Sequence, residues 1–141
     1  MNRIMWMRFA LVLLVLPPGA LSAEVVAVVS ARSPITALDS GQVADIFLGK
    51  TSRFPDGSQA VPIDQDEDSP ARERFYAQFT GKSPAQVKAH WSKIIFTGRG
   101  QPPRQPGSAE AVRRAIADNP RAIGYLDTAQ VDSSVRVLGA K

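Results

Sequence analysis

A chain of 141 residues with no cysteine and a formal net charge of +4 has neither disulfide staples nor thiolate zinc sites, so its fold must stand on an apolar core. Two of its cations, Arg3 and Arg8, lie in the first 23 residues. Without them 15 basic side chains face 13 acidic ones, and a balance of +2 is no nucleic-acid footprint.

Met1–Ala23 (MNRIMWMRFALVLLVLPPGALSA) sets two arginines ahead of an apolar run, Phe9–Leu16, and then small residues. This is the pattern of a secretory signal peptide cleaved after Ala23. The run is well short of the ~20 residues that cross a bilayer, and no cysteine follows for lipid attachment. The expectation is an exported protein in which residues 24–141 form one domain.

Val25–Val29, a β-branched run ended by Ser30, reads as a buried strand. Asp39 with Gln42 three residues on fits a capping box, opening a helix through Val43, Ile46 and Phe47 that stops at Gly49. Lys50–Ser58 is a loop with turn chemistry at Pro55-Asp56-Gly57. Val61 and Ile63 open a second strand, Asp64–Asp68 an acidic turn, and Ser69-Pro70 a helix with Phe75 and Phe79 on one face. Gly81 ends that helix. Ser83-Pro84 with Gln86 starts another, with Val87, Trp91 and Ile94 or Ile95 at helical spacing.

Thr97–Gly107 (TGRGQPPRQPG) is aperiodic and basic, either an anion-attracting flap or a plain connector. Ser108 caps a last helix, with Val112, Ala115 and Ile116 inward and Arg113 and Arg114 outward, ended at Asn119-Pro120. Ala122–Leu126 reads as a strand, and Val135–Leu138 as a third or edge strand. Alternating strands and helices predict an α/β fold with a mixed sheet flanked by helices.

The strand–turn–helix unit of Val61–Phe79 is the natural ligand position, because a helix start aims unpaired N–H groups and a positive dipole end beyond the strand. The same acids would also simply complement that dipole. Asp64, Asp66 and Asp68 alternate as in a calcium loop, but the turn glycine and distal glutamate are missing, and no metal site is assigned. His90, the single histidine, reads as a surface or packing residue. TGRG lacks phosphate-loop spacing. With no cysteine, no histidine–carboxylate pair at motif spacing and no GxSxG, no catalytic set assembles, and the chain reads as a non-enzyme without cofactors.

Three stretches together resemble a known family: Leu38 with Val43–Lys50, then Val61-Pro62 with Ser69 and Phe75, then Ala122–Tyr125. They are similar to the second lobe of phosphate-binding periplasmic proteins, the type II solute-binding proteins of ABC importers, and to a short single-lobe branch of that family. The resemblance implies one lobe of that fold in the periplasm, a small phosphate-like oxyanion as ligand, and a membrane transporter or sensor protein as partner. The family's Arg-x-Asp-x-Ser-Gly-Thr motif aligns on Ser69, which puts Gln65 at the arginine, Glu67 at the aspartate, Pro70 at the glycine and Ala71 at the threonine. Arg72 or Arg99 would then have to supply the cation. The expected ligand set is Ser69, Ala71, Arg72, Glu67, Gln65 and Arg99. A single lobe lacks the second wall of a cleft, which a homodimer or a partner would supply. The alternative is an adaptor or sensor module that docks a periplasmic or membrane protein, with anion binding weak or lost.

Overall fold

The computed structural model describes residues 24–139, so the expected signal peptide lies outside the described residues. Four strands form one mixed sheet: β1 (Val25–Ser30), β2 (Val61–Pro62), β3 (Ala122–Asp127) and β4 (Val135–Val137), in the order β2-β3-β1-β4. β1 runs antiparallel to both β3 and β4, and β2 runs parallel to β3. The helices are α1 (Ser40–Phe47), α2 (Pro70–Thr80), α3 (Pro84–Phe96) and α4 (Ala109–Ala117). This is the expected mixed sheet flanked by helices.

The helix starts follow from their caps. The Asp39 and Ser83 side chains accept from the backbone N–H three residues on, and Gln42 and Gln86 reach back to the cap N–H. Ser69 and Ser108 cap α2 and α4. β2, two residues long, lies at an edge of the sheet. Val61 and Ile63 donate their N–H groups to the Arg121 and Ile123 carbonyls of the neighbouring strand. Pro62, between them, has no N–H and therefore takes the outward position. Beyond it the flap closes on the sheet, with Ile63 bridging Arg104 and the Asp64 N–H donating to the Arg104 carbonyl at 2.8 Å. The aperiodic Thr97–Gly107 segment is thus pinned at its far end.

The period-2 alternation of the strands divides the core. Val25, Ala27 and Val29 of β1, with Ile123 and Tyr125 of β3, face α1, α2 and α3. Val28, Ala122 and Leu126 face α4 through Val112 and Ile116. The first face carries a ring cluster: Phe75 stacks on Tyr125 with centroids 3.9 Å apart, and Phe47 meets Phe75 edge-on at 4.7 Å.

Gly124 lies at the middle of β3 on the α4 face. A Cβ there would sit 2.3 Å from Ile116 Cδ1 and 3.0 Å from its Cγ1, and Ile116 is fully buried. The Gly124→Ala variant is therefore expected to lose about 1–3 kcal/mol through overpacking. Urea denaturation checks this, and an unchanged midpoint would show that α4 shifts without cost.

Candidate functional site

The strand–turn–helix unit is built around Asp64, which is 1% exposed. Parallel pairing of Pro62 with Ile123 carries on to set Asp64 beside Tyr125. Asp64 Oδ1 accepts the Gln65 N–H at 2.8 Å and the Tyr125 hydroxyl in a short bond, and Oδ2 accepts the Tyr76 hydroxyl at 2.7 Å. Arg72 Nε lies 3.4 Å from Oδ1. Both tyrosines of the chain thus donate to one carboxylate. Burial, and after it the Asp64 charge, pushes both phenols far above the usual range, so they stay protonated donors.

Gln65, at the family's arginine position, is buried and works as a latch. Its Nε2 donates to the Tyr125 carbonyl at 2.9 Å, and its Oε1 accepts the Ser69 hydroxyl at 2.8 Å. Ser69 Oγ accepts the Arg72 N–H at 3.3 Å in turn. The Glu73 N–H goes to the Ser69 carbonyl, and Pro70 has none. Of the first turn of α2, only the Ala71 N–H is without an acceptor among the described residues, and Ala71 is buried. Asp66, Glu67 and Asp68 stand exposed around this helix start. The entrance is closed by its own side chains and ringed by acids.

The structure therefore brings Ser69, Gln65, Ala71 and Arg72 together, leaves Glu67 on the rim, and puts Arg99 elsewhere, in a cleft with Lys50 and Arg53. Arg72 is the one that opens onto space. Its side chain is 10% exposed, its guanidinium carbon lies 5.0 Å from the Tyr76 ring centroid, and its Nε has no hydrogen-bond partner among the described residues. It lines a groove of about 360 Å³ between α2 and α3, with Lys88, Ser92, Gln105, Trp91 and Glu67.

Asp64 is the residue that sequence reasoning missed. In the chain it belongs to an acidic turn, and only strand parity places it on the aromatic face. With its carboxylate engaged by two phenols and Arg72, the Asp64-Asp66-Asp68 triad is not assembled for a cation, and among the described residues no group of three His, Asp or Glu side chains could hold a metal. His90 packs as expected, its Nε2 2.7 Å from the Leu48 carbonyl. Among the described residues no helix is long and apolar enough to cross a membrane.

No protein-family model matches the sequence, and no curated protein matches it. Solved structures do. A protein from Clostridium perfringens, described as a phosphate ABC transporter substrate-binding protein and holding bound phosphate, superposes with a TM-score of 0.66 at 18% identity, over 84% of this chain and 45% of its own. An ABC-type phosphate transport receptor from Vibrio cholerae gives 0.64 at 17%, over 82% of this chain and 45% of its own. PstS from Borrelia burgdorferi gives 0.61 at 13%, over 84% and 47%. The fold is that of these substrate-binding proteins. The chain spans a little under half of their length, and at such identities the likeness extends to the backbone and to no residue role.

Proposed function

We propose that the protein is exported through its Met1–Ala23 leader and binds a phosphate-like oxyanion in the periplasm, in connection with ABC-type transport and without catalysis. The observation that carries this reading is Arg72, a nine-tenths buried cation whose Nε has no hydrogen-bond partner among the described residues and lies 3.4 Å from Asp64 Oδ1, and whose side chain lines an open groove with Lys88 and Ser92. A guanidinium is the strongest side-chain partner for a tetrahedral oxyanion. The fold likeness to a phosphate-bound protein supports the same ligand class. Asp64 offsets the Arg72 charge and Glu67 lines the groove together with Lys88, so the site is electrically near balance. Affinity for phosphate is therefore expected only in the millimolar range, until a homodimer or a partner supplies the second wall of a cleft.

Calorimetry with phosphate tests this. Arg72→Gln is expected to weaken binding by about tenfold or more, and Lys88→Ala by a few-fold, since the first removes a desolvated charge-assisted contact and the second an exposed one. No heat at millimolar phosphate ends the reading.

The adaptor or sensor reading is favoured by a different observation. Three acids ring the α2 entrance, and the end of α3 exposes Ile95 and Phe96, the latter 93% open. Exposed apolar groups beside charge are what a protein-docking surface presents. Recovery of one membrane or periplasmic protein in pull-down, with and without phosphate, is its expected result.

A further inference from the structure

We propose that a second anion site lies apart from the α2 entrance, in a cleft of about 510 Å³ walled by Lys50, Arg53 and Arg99, and that it takes a linear oligophosphate. This goes beyond the Arg72 reading and does not depend on it.

Two loops that are far apart in the chain build the cleft. After α1 the backbone turns at Gly49, whose φ is +72° and whose Cβ position would lie 2.7 Å from Trp91 Cη2, so only glycine lets the loop pass this close to α3. The loop then closes on itself. Arg53 bridges Gln59, the Phe54 N–H donates to the Ser58 carbonyl at 2.8 Å, and buried Phe54 anchors the turn. The facing wall is the flap, where the Arg99 N–H donates to the Ile94 carbonyl at 3.1 Å and Pro103 is buried. Both arginines are thus carried on fixed backbone.

Among the described residues no acidic side chain lines the cleft. Arg99 makes no side-chain hydrogen bond or ion pair among the described residues, and among them the Arg53 side chain donates only to the Gly57 carbonyl, at 2.8 Å. The nearby acids are Asp45, 3.9 Å from Lys50 with both side chains exposed, and Asp56, whose carboxylate is taken by Ser58. An adjoining hollow of about 540 Å³ shares Ser52 and Arg53 and adds Arg121, again without an acid. Four exposed cations, Lys50, Arg53, Arg99 and Arg121, therefore line two adjoining hollows that share Arg53.

Size and shape choose the ligand. A cleft of this volume is of the scale that holds small molecules, larger than one tetrahedral ion fills. Several cations lining one cleft call for a ligand that carries several negative charges. Trp91, the aromatic residue of the cleft among the described residues, is buried and turns a ring edge to Gly49, so among them no exposed ring face is present to stack a nucleobase. The complement is a bare phosphate chain in preference to a nucleotide.

Calorimetry of the protein with inorganic tripolyphosphate, orthophosphate and a nucleoside triphosphate tests this. Tripolyphosphate is expected to bind about tenfold or more tighter than orthophosphate, at least as tightly as the nucleotide, and more weakly as salt is raised. Arg53→Gln with Arg99→Gln is expected to remove that preference, while Arg72→Gln leaves it in place. Arg99→Gln alone, which removes no contact within the fold, serves if the double variant melts early, and is expected to weaken tripolyphosphate several-fold. Equal affinity for orthophosphate and tripolyphosphate, tighter binding of the nucleotide, or binding indifferent to Arg99→Gln overturns the proposal.

Discussion

Replacing Asp64 with alanine is expected to cost about 3–5 kcal/mol of folding stability, read as a lowered midpoint in urea at constant slope. The substitution removes the acceptor of two buried phenol hydroxyls and of the Gln65 N–H, and strands the Arg72 cation at 10% exposure with no counter-charge. A loss of that size is a large fraction of the 5–15 kcal/mol that holds an ordinary domain together. Tyr76→Phe, by contrast, deletes one donor and leaves the carboxylate with its other partners, and should cost only about 1 kcal/mol. Asp64→Asn falls between them, because its amide keeps the volume but turns a donor toward donors. If Asp64→Ala loses no more than Tyr76→Phe does, Asp64 is not the pin of this unit.

That pin was hidden in the sequence for a definable reason. Caps are local: Asp39 with Gln42, Ser83 with Gln86 and the Ser-Pro starts could be read because each acts on a backbone group within three residues. The apolar runs of β1 and β3 could be read as strands for the same reason, while the division of their side chains between two faces emerged only in the fold. That Asp64 meets Tyr125 depends on the parallel register between β2 and β3, and in the two-residue β2 Pro62 marks an edge but nothing declares the register. The same gap made Gln65 look like a weak stand-in for an arginine, whereas in the fold it latches Ser69 to β3. Arg99 was legible as an exposed cation on a flexible-looking loop. That it would meet Lys50 and Arg53, nearly fifty residues earlier, was not, because the meeting depends on Gly49 passing close to Trp91. Gly124 likewise looked like part of a short motif, and its reason lies in Ile116 on another element.

Alkaline pH should unfold the protein earlier than its charge balance alone would. Tyr76 and Tyr125 ionise near pH 10 in the unfolded chain, but in the folded one burial and the Asp64 carboxylate raise both well above that value. Above pH 10 the unfolded state therefore binds fewer protons than the native state, and stability falls as pH rises. The protection is fully present below about pH 10 and disappears progressively above it, at a limiting slope of about 2.7 kcal/mol per pH unit for two phenols. Urea denaturation between pH 8 and about pH 11.5 measures it. Tyr125→Phe should halve the slope, since one titrating group then remains, and Tyr76→Phe with Tyr125→Phe should remove it. A flat profile through pH 11 in the unsubstituted protein would mean that the phenols reach solvent and ionise in place. Asp64 would then be a surface carboxylate, and the closed α2 entrance, on which the assignment of anion binding to Arg72 instead of Ser69 depends, would be open.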